Sequence, residues 1–179
     1  MSYQIFEVHM IITLIGMPGS GKSCIGRQIA SKLKCKQVDT DRLIEKKYGM
    51  PLSQLIDSLG CDGFRKIEEE MLLSIYNNEG ENLLLSTGGS AVYSDRGMQH
   101  LKSMGRIVYL YCSYETIVKR LGDFSKRGIV LRPDQTLLSL YEERTPLYEK
   151  YADITVNCDG THYSKYQKDA IQAISKVLT

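Results

Sequence analysis

One segment of the chain has the residue types and spacing of a phosphate-binding loop. Residues 16–23 read Gly-Met-Pro-Gly-Ser-Gly-Lys-Ser and match the pattern G-x-x-x-x-G-K-[ST] in full. Such a loop aims successive backbone N–H groups at phosphate oxygens, and the helix that follows adds the positive end of its dipole. We expect Lys22 to reach the β- and γ-phosphates of a nucleotide and the Ser23 hydroxyl to bind Mg²⁺. The pattern predicts a nucleotide site.

Two carboxylates separated by one residue, Asp39 and Asp41, follow the next apolar segment. Alternate residues of a strand share a face, so we expect both side chains on the same side. In phosphoryl transfer to an alcohol, one carboxylate can support Mg²⁺ through water while another holds and deprotonates the hydroxyl. The alternative is a helix N-cap at Thr40 or Asp41 that has no role in chemistry.

Arginines in two distant segments are candidates to bind an anionic substrate. Arg65 lies in the charged run 65–70, where the simplest interpretation is a solvated helix face with local ion pairs. The functional interpretation is that Arg65 grips a carboxylate through two parallel hydrogen bonds while Glu68 fixes its orientation. Arg144 would supply a second cation. Gly88 and Gly89 allow close approach of a ligand to the backbone, although a simple strand-to-helix turn also explains them.

A basic and partly apolar segment without clear periodicity runs from about 123 to 133. We predict that it is a mobile lid that closes over the nucleotide and excludes water, which would otherwise compete as acceptor. An arginine from such a lid can stabilise the charge on the transferring group. The alternative is a flexible surface connection.

These residues are positioned by alternating β and α segments. Short apolar runs predict strands at 11–15, 36–40, 83–87, 107–112 and 154–156, and helical patterns predict helices at 22–34, 41–78, 95–104, 113–122, 134–150 and 163–178. Strands of this kind indicate a parallel sheet covered on both faces, so the predicted fold class is a three-layer α/β/α structure with five parallel strands. Every motif falls at the carboxyl end of a strand, where ligands of such folds gather.

Composition excludes several other classes of protein. The 179 residues fit one domain, 1–179, in which the helices at 41–78 would bind substrate, and a net charge of +2 does not indicate nucleic acid as partner. Five scattered cysteines without a C-x-x-C pair suit reduced thiols in a cytoplasm. No apolar run approaches the length that spans a bilayer, and the start lacks signal-peptide features. We therefore expect a cytoplasmic protein without membrane partners, and a monomer.

Taken together, the motifs resemble those of shikimate kinases, small members of the nucleoside monophosphate kinase-like group of P-loop proteins. The resemblance covers nearly the whole chain. It rests on the phosphate loop, the Asp-Thr-Asp at 39–41, Phe64-Arg65 followed by Glu68, the pair Gly88-Gly89, and Arg144 in Arg-Thr-Pro-Leu-Tyr.

The resemblance implies a kinase that uses ATP with Mg²⁺ and phosphorylates a small carboxylate-bearing alcohol, giving 3-phosphoshikimate. It assigns the metal side to Asp39 with Ser23, and the substrate hydroxyl to Asp41. It implies that the catalytic residues are Lys22, Asp41 and Arg127. The ATP-binding residues would be Gly16, Gly19, Ser20, Gly21, Lys22, Ser23, Cys24 and Arg120. The substrate-binding residues would be Asp41, Arg65, Gly88, Gly89 and Arg144.

Two positions depart from the family pattern. Ser90 stands where the family usually has a third glycine, and a serine that needed a positive φ would cost about 1 kcal/mol. Arg127-Gly128-Ile129-Val130 takes the place of the lid sequence Arg-Pro-Leu-Leu, and Arg132-Pro133 is a rival alignment. These departures raise the question of a related but different acid.

Other functions remain as alternatives. A kinase of another small hydroxy acid or sugar acid would share the same motifs. A nucleotide-binding regulatory domain without transfer activity would have been expected to lose Lys22, Ser23, Asp39 or Asp41. A GTPase would need the base-reading pattern N-K-x-D, which is absent. A nucleoside monophosphate kinase is disfavoured because the paired aspartates would repel an incoming phosphate.

Overall fold

The structure, a computed structural model, describes residues 11–76, 82–122, 129, 131–159, 168, 169, 171, 172 and 174. Most of the predicted helix at 163–178 and most of the predicted lid therefore lie outside the described residues. Five strands form one parallel sheet in the order β2-β3-β1-β4-β5. They are β1 (Ile11–Ile15), β2 (Lys36–Asp39), β3 (Leu83–Ser86), β4 (Gly105–Tyr111) and β5 (Ile154–Asn157).

Helices follow the strands and cover the sheet. They are α1 (Lys22–Leu33), α2 (Thr40–Tyr48), α3 (Leu52–Leu73), α4 (Asp95–Met104), α5 (Tyr114–Leu121) and α6 (Leu137–Tyr151). A 3-10 turn at Ala91–Tyr93 precedes α4. All five residues of β1 are buried. Because alternate strand residues point to opposite faces, both faces of the sheet are covered, which confirms the predicted fold class.

Several element bounds differ from the predicted ones for local reasons. The fourth strand begins at Gly105 because this residue already pairs with Ile11 of the central strand β1. The helix predicted from 134 begins at Leu137, since Thr136 caps its first turn by accepting a hydrogen bond from the Ser139 N–H. Helix α3 contains one residue with non-helical dihedral angles, Gly60, at which it kinks.

The sheet order places the chemistry at one edge. The phosphate loop follows the central strand β1, Asp39 ends β2, and Gly88 and Gly89 follow β3. A small second core of Ile44, Leu55, Phe64 and Met71 packs α2 against α3 and so fixes the helix that carries Arg65. Within the described residues, no helix has both the length and the apolar character needed to cross a membrane.

Helix α1 reaches the sheet only because position 26 has no side chain. A Cβ added at Gly26 would lie 2.9 Å from each of three atoms, on the side chains of Gln37, Leu84 and Ser86. We expect Gly26→Val to lower the free energy of unfolding by about 1–3 kcal/mol, the usual cost of overpacking. Urea unfolding measures this change. The matched variant Ser31→Val, at an exposed position of the same helix, should change stability little, and equal losses in the two variants would contradict the packing argument.

Candidate functional site

The phosphate loop is built on glycines with left-handed backbone conformations. Gly16, Gly19 and Gly21 have φ angles of 146°, 83° and 99°, which residues with side chains rarely adopt. A Cβ at Gly16 would also lie 2.8 Å from the carbonyl oxygen of Leu110. Helix α1 begins immediately afterwards at Lys22. The loop therefore turns sharply into the positive end of a helix, which is the arrangement that binds phosphate.

Lys22 is buried over this loop. Its ammonium group donates hydrogen bonds to the carbonyl oxygens of Gly16, at 2.7 Å, and Met17, at 3.0 Å. Burial lowers the pKa of Lys22 to about 8, while the charges of Asp41 and Asp39 act in the opposite direction. A bound polyphosphate would add negative charge beside the ammonium group and so favour its protonated form.

Ser23 and Asp39 meet at the base of the loop. The Ser23 hydroxyl donates to Oδ2 of Asp39 at 2.8 Å. The other oxygen of Asp39 accepts from the backbone N–H of Asp41 at 3.1 Å, which makes Asp39 the N-cap of α2. The alternative that placed the cap at Thr40 or Asp41 is wrong, because the backbone is still extended at Asp39 and becomes helical at Thr40. The Thr40 hydroxyl instead accepts from the N–H of Gly88 at 3.2 Å.

Asp41 and Glu68 bring two carboxyl groups together beside Gly88. A Cβ at Gly88 would lie 2.4 Å from Oε1 of Glu68 and 2.7 Å from Oδ1 of Asp41. Burial raises the pKa of Asp41 to about 6 and that of Glu68 to about 7. In each case a neighbouring carboxylate raises the pKa further. Glu68 is 2% exposed, and Ser90 hydrogen-bonds to its carboxyl group.

Ser90 occupies its position without strain. Its φ and ψ angles are −90° and −6°, so the residue needs no positive φ. The possible cost of a serine at this position therefore does not arise. Its side chain is buried and reaches Glu68, a hydrogen bond that a glycine could not make.

Arg144 lies on the opposite side of the same glycine pair. It is 1% exposed, and its Nη1 atom lies 3.0 Å from the position of a Cβ at Gly89. Pro18 of the phosphate loop lies 2.9 Å from that position. The guanidinium group of Arg144 and the ring of Pro18 therefore both lie close to the point where a side chain at Gly89 would begin. Although burial acts in the opposite direction, Tyr148, the hydrogen bond to Tyr93 and the charge of Glu68 together raise the pKa of Arg144.

Arg65 is held differently from the sequence expectation. Its guanidinium carbon lies 3.9 Å from the centre of the Tyr93 ring, and its nearest carboxylate is the exposed Asp62, at 3.9 Å. Its Nε atom is buried without a hydrogen-bond partner among the described residues. Within that part of the chain Arg65 donates no hydrogen bond to Glu68, and its closest contact is the Tyr93 ring.

A cavity of about 710 Å³ joins these groups. The predicted residues that line it are Gly19, Gly21, Lys22, Ser23, Cys24, Asp39, Asp41, Gly88, Gly89, Arg120 and Arg144. Sequence reasoning did not name Pro18, Arg27, Leu52, Phe64, Thr87, Ser90, Leu121 and Ile129 as binding residues, although they also line the cavity. The predicted residues Gly16, Ser20 and Arg65 do not line the cavity. Gly16 and Ser20 belong to the phosphate loop, and Arg65 stacks on Tyr93.

The two remaining cationic candidates have different surroundings. Arg120 lines the cavity and donates to Sγ of Cys112 at 3.2 Å and to the carbonyl oxygen of Cys158 at 2.6 Å. Arg127 lies outside the described residues. Its rival, Arg132, donates to Glu143 of α6.

The oxygen atoms of Ser23 and Asp39 suit a hard cation. Mg²⁺ prefers oxygen ligands and takes several of them from water and substrate phosphates, so it needs few ligands from protein. Among the described residues no cluster of three or more His, Cys, Asp or Glu could hold a metal by itself. The pair therefore fits a cation that takes its remaining ligands from water and phosphate.

The fold and the cavity define a P-loop phosphotransferase that acts on a small molecule. A phosphate loop on the central strand faces a pocket with a carboxylate and a buried arginine, and the 710 Å³ cavity has the size of a small-molecule site.

Comparison with known proteins gives the family. The family model for shikimate kinase matches residues 18–176. A shikimate kinase of Pasteurella multocida is 41% identical, and one of Francisella tularensis subsp. novicida is 39% identical, each over 83% of this chain and 85% of that protein. The structure of a shikimate kinase from Acinetobacter baumannii in complex with shikimate superposes with a TM-score of 0.81 and 30% identity, covering 97% of this chain and 94% of that one. The chain belongs to the shikimate kinase family, as the motifs predicted.

The carboxyl group of Glu68 gives a prediction about how the stability of the protein depends on pH. Folded Glu68 keeps its proton up to about pH 7, whereas an unfolded glutamate loses it near 4.5. The unfolded chain therefore binds fewer protons in this window, and the contribution of Glu68 to stability falls as pH rises. We expect Glu68→Gln to gain stability relative to the unmodified protein as pH increases, by at most about 1.4 kcal/mol per pH unit. Urea unfolding at a series of pH values between 5 and 8 measures the difference.

Glu70→Gln is the matched control, since Glu70 is an exposed glutamate in the same helix. Its stability should follow that of the unmodified protein at every pH. A Glu68→Gln curve that runs parallel to both would mean that Glu68 has an ordinary pKa, and the carboxyl pair would lose its support.

Proposed function

We propose that this protein transfers the γ-phosphoryl group of ATP to a hydroxyl of shikimate, giving ADP and 3-phosphoshikimate, a precursor in aromatic amino-acid biosynthesis. The observation that carries the proposal is the meeting of both substrate sides at Gly88 and Gly89. Asp41 adjoins the first glycine, and Arg144 and Pro18 of the phosphate loop adjoin the second. An acid held at Arg144 would thus have a hydroxyl near Asp41 and near the nucleotide phosphates.

The nucleotide side would use the loop and the start of α1. Backbone N–H groups of the predicted ATP-binding residues would hold the phosphates, and Lys22 would neutralise charge on the transferring group. Arg120, beside Cys158 after β5, would border the nucleotide away from the acid. Ser23 and Asp39 would hold Mg²⁺, which when bound supplies charge neutralisation between the phosphates.

The acceptor side would use Asp41 as general base. Although burial raises the pKa of Asp41 to about 6, this value leaves the carboxylate ionised at neutral pH. It can then accept a hydrogen bond from the substrate hydroxyl and take its proton as the phosphoryl group arrives. A pKa near the working pH makes a base both available and effective.

The carboxylate of the substrate would be gripped by Arg144, with Arg65 beside it. Both guanidinium groups face the Tyr93 ring, at 5.3 Å and 3.9 Å, so a single anion can lie near both. The N–H group of Gly89 would add a hydrogen bond, while Gly88, whose N–H donates to Thr40, would allow the close approach of the substrate. Arginine suits this role because its planar fork matches a carboxylate.

We further propose that residues 1–179 act as one domain and as a cytoplasmic monomer. The segment 123–133 would close the cavity and exclude water, with Arg127 beside the transferring group. Ile129 lines the same cavity as the nucleotide loop, which supports this role for the segment.

The direct test is ADP release with shikimate against a panel of hydroxy acids and sugar acids. We expect turnover with shikimate to exceed that with every other acid. A higher rate with another acid would reassign the acceptor within the same class of kinase. ATP binding with no acid-stimulated ADP release would indicate a regulatory nucleotide-binding protein instead.

Arg65 gives a sharper prediction about the acid side alone. A charge-assisted hydrogen bond contributes about 1.5–3 kcal/mol, so we expect Arg65→Met to raise the KM for shikimate roughly 10- to 100-fold. The KM for ATP should scarcely change. Steady-state kinetics with each substrate varied in turn measures both. The matched control is Arg96→Met, because Arg96 is a mostly exposed arginine that also lies beside a carboxylate, that of Glu69. Equal rises in both KM values for Arg65→Met would contradict the assignment.

A further inference from the structure

Tyr93 contacts charged groups from two separate helices. It is a half-buried residue at the end of the 3-10 turn that follows Gly88 and Gly89. Its ring meets Arg65 of α3 and Arg144 of α6, and its hydroxyl meets Arg144 and Glu143 of α6. Tyr93 itself is not one of the described residues that line the cavity. It therefore touches the groups that would bind the acid without forming the pocket surface.

The aromatic ring is the main support of Arg65. The guanidinium carbon lies 3.9 Å from the ring centre, the separation of a close cation–π contact. The other contact of that guanidinium, with Asp62, is weak because Asp62 is 96% exposed and 3.9 Å away. Since Nε of Arg65 has no hydrogen-bond partner within the described part of the chain, little else fixes the direction of this side chain.

The hydroxyl group connects the ring to Arg144. It accepts a hydrogen bond from Nε of Arg144 at 3.4 Å and donates one to Oε1 of Glu143. Burial and the Glu143 contact raise the pKa of Tyr93, so the hydroxyl keeps its proton and remains a donor. Hence a single side chain contacts both candidate arginines.

Glu143 is fixed in turn. Its Oε2 atom accepts a hydrogen bond from Nε2 of Gln135 at 2.9 Å and another from Arg132. The carboxylate that receives the Tyr93 hydroxyl therefore has two further partners, and it is positioned without Tyr93. The ring is thereby anchored at its hydroxyl end while its face supports Arg65.

We propose that Tyr93 is a positioning residue for the substrate carboxylate, which orients Arg65 with its ring and Arg144 with its hydroxyl. This inference rests on the proposed function, because it gives the two arginines a carboxylate to bind. It differs from ordinary core packing in one measurable respect. Loss of Tyr93 weakens binding of the acid while the nucleotide side, built on other elements, keeps its affinity.

Two substitutions separate the ring from the hydroxyl. Tyr93→Leu removes both contacts, and we expect it to raise the KM for the acid about 10-fold or more, with the KM for ATP and kcat within about 2-fold. A 10-fold change corresponds to about 1.4 kcal/mol, within the range of a desolvated cation–π contact. Tyr93→Phe keeps the ring over Arg65 and loses the hydroxyl, so we expect a smaller rise of about 3-fold.

Tyr76→Leu is the matched control, since Tyr76 is 61% exposed, lies beyond the end of α3 and, within the described residues, contacts the ring of His100. It should leave both KM values unchanged. Calorimetric titration of shikimate into each variant measures binding without turnover, and urea unfolding shows whether each variant is folded.

Equal rises in the KM values for acid and ATP would overturn the proposal. A loss of stability with unchanged acid binding would also overturn it, since either result is expected of a residue whose role is only structural.

Failure of the proposed function has a different signature. If the unmodified protein neither binds nor phosphorylates shikimate, that function is wrong, and the same variants are compared with the acid of the panel that supports turnover. An unchanged KM for that acid in Tyr93→Leu would then also reject the role of Tyr93.

Discussion

The site depends on the close approach of the backbone at Gly88 and Gly89 to the side chains of four other residues. At Gly88 the missing Cβ leaves room for the carboxyl groups of Asp41 and Glu68, and at Gly89 it leaves room for Pro18 and Arg144. A side chain at either position would separate the phosphate loop from the groups that face it. Because reacting atoms must come within roughly 3–3.5 Å of each other, such a separation would remove the geometry for transfer even if every charged residue were kept.

This arrangement concentrates charge in a small volume. Lys22, Asp41 and Arg144 line one cavity, and the buried carboxyl group of Glu68 adjoins that of Asp41 at Gly88. Burial shifts the pKa of the lysine downward and those of the two acids upward. Burying ionisable groups costs stability unless each is well paired. A nucleotide and an anionic acid would add negative charge beside these cations and so favour their charged forms. Perturbed pKa values of this kind are common in sites that bind charged ligands.

Sequence reasoning captured what depends on local pattern. The phosphate loop, the order of strands and helices and the family were predictable, since glycine positions, apolar runs and motif spacing are properties of short segments. The fold class followed because continuous apolar strands separated by helices have few stable arrangements. The small errors in element bounds at Gly105 and Leu137 arose from a strand pairing and a helix cap, which involve single contacts.

Contacts between distant side chains were not predictable in the same way. Arg65 was expected to be oriented by Glu68, three residues away on the same helix, but Tyr93 from another element provides the contact. Ser90 was expected to strain its loop if it needed a positive φ, yet its backbone is near helical and its hydroxyl reaches Glu68. Such contacts depend on helix packing at the scale of an ångström, which residue spacing does not encode.

The measurement that tests the central claim most directly is a crystal structure with shikimate, Mg²⁺ and a non-hydrolysable ATP analogue bound together. The predicted result has the acid carboxylate against Arg144 and a hydroxyl of the ring between Asp41 and the γ-phosphate, in line for transfer. A structure in which the acid lies elsewhere, or turns its carboxylate toward the phosphate loop, would contradict this arrangement.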